Sequence, residues 1–278
     1  MAGDGAGRGR RSAEPDVKTE LALLKPFEYN TANLIASLSF YGKRERRRGM
    51  TLVTAPVNHS AFNVAVIDEP AVDEADLLFR VNEASCHFRA LGRGWNFYVC
   101  EDMLDARTAR RLDALLDGMG LVRILDAPGM EAEQLDTPRH RLPELRCAAV
   151  KNADTRGDFG HLISAAFSIP AYTATVLYEQ EERWHGSLRA WVGYSGDKPV
   201  CCGAAVEHAG VLGVYSVATL QEHRRKGYAE AIVRHIVAEY RRRGFAGPLV
   251  LQSTPDGRRL YREMGFTRTT RFAVYATI

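Results

Sequence analysis

One stretch near the C-terminus constrains the fold of this chain more than any other. Residues 214–219 are apolar and β-branched, and a short segment containing Arg224, Arg225, Lys226 and Gly227 follows them before an amphipathic stretch begins. This order predicts a strand, a basic glycine-containing turn and a helix. The first amides of a helix have no partner within the helix and attract anions, so such a unit is typical of a phosphate-binding site.

The length of the chain predicts more than one domain. Its 278 residues suffice for two domains of about 100 to 150 residues each. Residues 126–143 are rich in proline, glycine and acidic side chains, which favours a boundary there. We therefore predict one α/β domain over residues 17–143 and a second over residues 144–278. Residues 1–16 offer almost nothing to bury and predict a disordered tail.

Hydrophobic periodicity predicts an α/β fold with a mixed sheet. In the first half, strands and helices alternate over residues 61–67, 75–91, 95–100, 108–119 and 121–125. The second half is predicted to contain a strand at 145–150, helices at 157–167 and 173–184, and antiparallel strands at 188–194, 199–207 and 211–219. A helix at 228–243, a strand at 249–252, a helix at 254–264 and a strand at 272–276 complete it. The long helix between two strands indicates a parallel crossover.

Composition argues against several classes of protein. The five cysteines are odd in number, and none of their spacings is that of a metal knuckle. The neighbours Cys201 and Cys202 should face opposite sides of a sheet. We therefore expect no metal site. No apolar run approaches the roughly 20 residues of a membrane span, and no leader is visible, which predicts a cytoplasmic protein. The net charge of +3 gives little reason to expect nucleic acid. The basic run at 43–48 predicts a solvated loop or helix end, and an acidic partner or a nucleic-acid contact is the alternative.

Two motifs in the second half resemble those of the GNAT N-acetyltransferase superfamily. The turn Arg224-x-x-Gly227-x-Ala229 is similar to the family's pyrophosphate loop, and the pairs Leu260-Tyr261 and Gly265-Phe266 are similar to its second motif. The resemblance covers residues 145–278. The first half looks similar to the degenerate N-terminal half of tandem acetyltransferases, because it alternates strands and helices but has no such loop of its own.

The resemblance implies acetyl-CoA as the acyl donor. Its pyrophosphate would lie on the basic turn, and its pantetheine arm would lie between the strand at 211–219 and the strand at 249–252. The contacts expected for acetyl-CoA are Tyr215, Val217, Thr219, Arg224, Arg225, Lys226, Gly227, Tyr228, Ala229 and Thr254. A glycine at 227 would let the phosphates approach the backbone closely.

Amine acylation needs a base that removes a proton from the amine and an acid for the departing thiolate. By the resemblance, Tyr261 stands where the family commonly places the acid, and a packed tyrosine or a CoA contact is the alternative. Glu207 is the candidate base, and an exposed hairpin carboxylate is its alternative. Glu181 and Glu182, on the predicted helix beside the acceptor, are expected to be solvated.

The function that these residues predict is acetyl transfer to a primary amine in a ternary complex. The acceptor is expected to be an amine-bearing small molecule or peptide, and the protein a monomer or homodimer. The first half would then be a structural or acceptor-shaping partner of the catalytic half. A non-catalytic CoA-binding or CoA-sensing protein of the same fold is the alternative.

Overall fold

The computed structural model describes residues 24–277, and the predicted tail at residues 1–16 lies outside them. Eleven strands of this part of the chain form one mixed sheet. The strands are β1 (Lys43–Arg47), β2 (Met50–Thr54), β3 (Val64–Ile67), β4 (Asn96–Cys100), β5 (Leu121–Ala132), β6 (Arg146–Ala149), β7 (Leu188–Ser195), β8 (Lys198–His208), β9 (Val211–Thr219), β10 (Leu249–Gln252) and β11 (Thr267–Thr277). Their order across the sheet is β1-β2-β3-β4-β11-β5-β10-β9-β8-β7-β6.

Seven α-helices of the described residues accompany the sheet. They are α1 (Pro26–Leu38), α2 (Glu74–Ala90), α3 (Ala106–Asp117), α4 (Ala153–Phe167), α5 (Ala171–Tyr178), α6 (Tyr228–Arg242) and α7 (Arg258–Glu263). In the second half, α6 and α7 pack on one face of the sheet, and α4 and α5 pack on the other. Cys201 and Cys202 fall in these two separate cores, as their alternation predicts. No helix in this part of the chain has the length and apolarity that a membrane crossing requires.

The two halves repeat one order of elements. In the first half an antiparallel meander (β1 to β3) is followed by α2, the strand β4 parallel to β3, α3, and the antiparallel strand β5. In the second half β7 to β9, α6, β10, α7 and β11 follow the same order, and β10 is parallel to β9. The parallel crossover through α6 is therefore confirmed.

Each half lends its last strand to the other. β5 lies between β10 and β11, and β11 lies between β4 and β5, so the sheet is continuous across the molecule. Ala127 of β5 pairs with Phe272 of β11, and a local twofold axis passes between them, relating residues by a shift of 145 positions. This axis exchanges the pair Gly129–Thr270 with Leu125–Val274, and Met130–Arg268 with Arg123–Tyr275. The two register shifts in this pairing are exchanged as well.

The structure corrects several sequence predictions at element boundaries. β5 continues through Pro128 to Ala132, so the first seven residues of the predicted linker 126–143 are strand. Helix α1, which the sequence analysis does not include, begins at Pro26, because proline suits the first helical position. The basic run at 43–48 forms the edge strand β1, not a loop or helix end. The predicted domain boundary at 143/144 falls between β5 and β6 and stays a prediction.

Two helices are also shorter than predicted. α5 ends at Tyr178, and a separate 3₁₀ turn covers Glu181–His185. The last helix begins at Arg258 instead of Thr254, because residues 254–257 form a turn in which the Thr254 Oγ1 accepts a hydrogen bond from the Gly257 amide at 3.3 Å. Hydroxyl side chains favour such local turns over the helix interior.

Candidate functional site

A gap opens in the sheet between β9 and β10. The two strands pair only at Leu212–Leu249 and Gly213–Val250, and among residues 24–277 the rest of β9 has no partner strand on this side. Further along β9, Ser216 has a φ of 51° where the register with β8 shifts, so the strand carries a bulge there. The backbone beyond this point is left with unpaired polar groups along one edge.

The predicted cofactor-contacting strand residues line this gap. Tyr215, Val217 and Thr219 lie on β9 beyond the last pair with β10, and all three are only partly buried. The Thr219 Oγ1 is buried without a hydrogen-bond partner among the described residues. The structure therefore places these three residues along one edge of the gap, and their contact with acetyl-CoA stays a prediction.

The basic turn follows at the open end of the gap. Arg224, Arg225 and Lys226 are exposed, and no carboxylate of residues 24–277 lies within ion-pair distance of them. The first hydrogen bond of α6 runs from the Ala231 amide to the Gly227 carbonyl at 2.9 Å, so the preceding amides are free to bind a ligand. The Arg224 Nε donates to the Thr219 carbonyl at 3.2 Å, which holds the turn against β9.

The structure adds a second reason for glycine at position 227, and the close approach of phosphates to it stays a prediction. Its φ of 84° requires glycine, but the direction in which a Cβ would project faces the Pro143 ring, at 3.0 Å from Pro143 Cδ, rather than open space. The linker thus lies against the turn, and it also reaches α7, where the Asp136 amide donates to the Met264 carbonyl at 3.0 Å. Sequence reasoning missed this contact because nothing local in residues 133–145 signals it.

Three further residues predicted to contact the cofactor differ in how far they are exposed. Tyr228 is buried, and its hydroxyl lies 3.1 Å from the Ser195 Oγ, so only its backbone amide faces the turn. Ala229 follows in the first turn of α6 and is partly buried. Thr254 is exposed just beyond the end of β10.

Tyr261, the predicted acid, projects from α7 into the core shared with α6. It is 9% exposed, and its ring meets that of Phe266 edge-on at 5.8 Å between centroids. Burial raises the pKa of Tyr261 to about 12, because the phenolate would lose its hydration. The hydroxyl therefore keeps its proton at neutral pH and is available as a hydrogen-bond donor.

Glu207, the predicted base, lies beside the paired end of β9 and β10 rather than beside the gap itself, and its assignment as the base stays a prediction. Glu207 pairs with Leu212 at the start of β9, whereas the gap opens only beyond Gly213. It is exposed, and its cross-strand neighbour Leu212 belongs to the core on the α6 side. The alternation of apolar and polar residues in β8 and β9 predicted that Glu207 lies at the hairpin tip. It does not indicate which end of the sheet contains the gap.

Helix α1 of the first half covers one face of the sheet beside the gap, where it contacts β8 and β9. The Asn33 Nδ2 lies 3.1 Å from each of three carbonyl oxygens of the β8–β9 hairpin, and the Asn33 Oδ1 accepts from the Tyr215 hydroxyl at 2.7 Å. A Cβ on Gly213 would lie 1.9 Å from that Oδ1, so the close approach of α1 requires glycine. Sequence reasoning did not single out Asn33 or Gly213, since their contact joins residues far apart in the chain.

The equivalent turn of the first half, between β3 and α2, is built differently. The Arg80 side chain is buried at its centre. Its guanidinium donates, at 2.5–3.1 Å, to the carbonyl oxygens of Gly49, Glu69 and Pro70 and to the Asp76 carboxylate. The turn therefore points carbonyl oxygens inward at a cation of its own, and an anionic ligand has no place there.

Comparisons with known proteins agree with this geometry. Residues 158–266 match the model of the acetyltransferase (GNAT) family. The sequence matches no curated protein. This part of the second half is therefore a GNAT domain.

Solved structures extend the similarity of fold to most of the chain. A GCN5-related N-acetyltransferase from Kribbella flavida is 19% identical, with a TM-score of 0.67, over 89% of this chain and 93% of that one. A GCN5-related N-acetyltransferase from Sphaerobacter thermophilus is 16% identical, with a TM-score of 0.57, over 94% and 93%. A tandem GNAT protein from the clavulanic acid biosynthesis pathway is 12% identical, with a TM-score of 0.51, over 82% and 77%. The mixed α/β fold with its large sheet is thus that of GNAT-type structures.

Proposed function

We propose that this protein is an acetyl-CoA-dependent N-acetyltransferase that transfers the acetyl group directly to a primary amine in a ternary complex. The observation that supports it best is the gap between β9 and β10, which opens at a basic turn and the N-terminus of α6. An unpaired strand edge suits an extended amide-containing chain, and the turn suits an anion at its end. Acetyl-CoA, when bound, supplies a thioester for the reaction.

The residues of the gap divide the work of binding. The exposed cations Arg224, Arg225 and Lys226, with the first amides of α6, would neutralise the pyrophosphate. The backbone groups of β9 would align the pantetheine arm, and Thr254 stands at the end of the facing strand β10. These roles need no movement of the sheet, because the gap is already open.

Tyr261 would stabilise the sulfur on which negative charge develops. A tyrosine with a pKa of about 12 gives up its proton less readily than a thiol with an ordinary pKa of about 8.5, so full transfer to the sulfur is unfavourable. A hydrogen bond from the buried hydroxyl to the sulfur stabilises the developing charge without that cost. We therefore assign to Tyr261 the role of hydrogen-bond donor.

The acceptor would be an amine-bearing small molecule or peptide. Attack requires the neutral amine, since an ammonium has no lone pair. The Asn33 amide of α1 and the Tyr215 hydroxyl of β9, which is hydrogen-bonded to it, are both uncharged. A proton from the amine would therefore leave through water rather than to Glu207.

Incubation with acetyl-CoA and a panel of primary amines tests the proposal. We expect free thiol to appear together with an equal amount of acetylated amine, measured by absorbance and mass spectrometry. A protein that binds CoA but releases no thiol with any amine would fit the non-catalytic alternative. Failure to bind acetyl-CoA in calorimetry would refute both.

A further inference from the structure

An open cavity of about 800 Å³ lies between α7 and the paired strands β5 and β11. Four guanidinium groups line it, from Arg258 and Arg262 of α7 and from Arg268 and Arg271 of β11. Asp126 supplies the single carboxylate of the lining. Such a concentration of arginine in one concavity creates a strongly positive field.

The positive charge of this cavity is mostly uncompensated. Arg271 is paired, with its Nε 2.7 Å from the Asp126 Oδ1, and is held in place by this bond. Arg258, Arg262 and Arg268 have no carboxylate within ion-pair distance among residues 24–277. Neighbouring guanidiniums repel one another, so an anion between them would stabilise the arrangement.

The first half contains an internal control for this cavity. The local twofold axis carries Arg258, Arg262 and Arg268 onto residues 113, 117 and 123, and a hollow of about 330 Å³ lies there. Its lining holds Asp113, Asp117 and Arg123, and the Arg123 Nε donates to the Asp113 Oδ1 at 2.7 Å. The same place in the fold is thus neutralised in one half and left cationic in the other.

The cavity is separate from the proposed acetyl-CoA site. None of its lining residues belongs to β9 or to the basic turn before α6. Arg258 and Arg262 are exposed on α7, whereas Tyr261 of the same helix is buried in the core shared with α6. An anion in the cavity would therefore leave the gap between β9 and β10 free.

The floor of the cavity is apolar. Pro128, Met130 and Phe266 line it, and Met130 and Phe266 are each 2% exposed. A ligand that fills the cavity would therefore contact both charged groups at the rim and apolar atoms below. This combination is usual for sites that bind small organic molecules.

We propose that this cavity binds a small anion that carries two or more phosphate or carboxylate groups. A guanidinium presents two parallel N–H donors, which match the oxygens of either group in bidentate geometry. Arg258 and Arg262 from the helix and Arg268 from the strand supply the binding groups, and Arg271 stays engaged with Asp126. This site does not depend on the acetyl-CoA site or on the acetyltransferase activity.

Calorimetry on the full chain with two probes, sodium triphosphate and citrate, at matched ionic strength tests the proposal. We expect at least one probe to bind with one-to-one stoichiometry, and the tighter probe identifies the chemistry. Arg262→Ala should weaken binding about ten-fold or more, because it removes a charged hydrogen-bond donor.

Arg259→Ala is the matched control, since the Arg259 Nε already donates to the Glu263 Oε1 at 2.8 Å and the side chain lies outside the cavity. The affinity of the Arg259→Ala variant for the probe should stay within roughly two-fold of the wild-type value, because an exposed charge outside the cavity contributes little to binding.

A second titration, in the presence of saturating CoA, separates the two sites. Unchanged probe affinity supports an independent cavity. Competition with CoA would overturn the proposal and would make the arginines part of the cofactor site. Absence of binding by both probes, or an equal loss in Arg259→Ala and Arg262→Ala, would overturn it as well. The double variant Arg258→Ala/Arg268→Ala, with its unfolding midpoint checked, repeats the test on exposed residues only.

Discussion

The turns that precede α2 and α6 hold equivalent places in the two halves, but their polar groups find different partners. Before α2, Asp73 caps the helix by accepting from the Asp76 amide at 2.8 Å, and Arg80 fills the turn from within. Before α6, no side chain caps the helix, and exposed cations surround its free amides. The first turn therefore satisfies its own polar groups, whereas the second leaves them for a ligand.

The helices that follow the parallel strands, α3 and α7, also differ in whether they offer a polar side chain for a ligand. The shift that relates Gly120 to Gly265, both with positive φ, places Leu116 where the second half has Tyr261. Leu116 is fully buried and offers no hydrogen-bond donor. A single topology thus becomes a scaffold in one half and a candidate catalytic site in the other through a few side chains.

The largest expected effect comes from breaking the self-sufficient turn. Arg80→Ala should lower the free energy of unfolding by about 3 to 5 kcal/mol, because buried carbonyls and the Asp76 carboxylate lose their donor. Urea unfolding measures this. Arg107→Ala, which removes an exposed guanidinium 3.3 Å from Glu74, is the control and should change stability by less than about 1 kcal/mol. Equal effects of the two variants would contradict the role of Arg80.

The opposite result is expected for the turn before α6, which we propose binds the pyrophosphate. Replacing Arg224, Arg225 and Lys226 by alanine should weaken CoA binding roughly 100-fold, at about 1 kcal/mol for each exposed cation, and leave stability unchanged. Calorimetry at low and high salt measures it, and the salt dependence should flatten in the variant. Alanine at Arg107, Arg110 and Arg111, exposed on α3, makes the same change of charge. A similar loss of affinity there would indicate general electrostatics.

Removal of the Tyr261 hydroxyl tests the difference between the two helices. Tyr261→Phe should lower kcat about 10- to 100-fold with little change in KM for acetyl-CoA, because the hydrogen bond acts on the developing charge. Steady-state kinetics measures it. Tyr240 is another buried tyrosine, and it lies on α6. The control variant Tyr240→Phe should keep a near-normal kcat. An unchanged kcat in Tyr261→Phe would remove the assigned role.

A smaller effect is expected where the linker meets the turn. Gly227→Ala should cost about 1 to 2 kcal/mol of stability, because its φ of 84° strains a residue with a Cβ and Pro143 stands 3.0 Å from that Cβ. Gly157→Ala, inside α4 with open space around it, should instead stabilise by up to about 1 kcal/mol. Thermal unfolding distinguishes the two signs. Stabilisation by Gly227→Ala would mean that the linker does not hold this position.

The pH dependence should show no effect of Tyr261 ionisation. Burial raises its pKa to about 12, so the hydroxyl holds its proton through the working range and loses it only above that range. The ratio of wild-type to Tyr261→Phe rates should therefore stay constant between about pH 7 and pH 10. Parallel pH–rate profiles measure it. A ratio that falls above about pH 9 would show that the hydroxyl ionises more easily than its burial implies.

The local elements around the site could be predicted from sequence because their signals lie within a few residues. The apolar stripe of α6, the alternation of β8 and β9, and the turn at Gly227 each appear in a single short window. The family resemblance rested on the same windows, and the match of residues 158–266 agrees with it. These features also predicted which strand and turn would carry the cofactor-contacting residues, an assignment that stays a prediction.

Other features depended on contacts between distant residues, and only the tertiary structure decided them. The exchange of β5 and β11, the docking of Asn33 at Gly213 and the contact of Pro143 with Gly227 join segments far apart in the chain. The position of Glu207 relative to the gap could not be predicted for the same reason, because alternation along a strand does not tell which end of the sheet opens. Strand register is set by long-range burial and pairing, and no local propensity encodes it. The chain by itself thus predicted a phosphate-binding turn before α6, and only the tertiary structure showed that the equivalent turn of the first half is filled by Arg80.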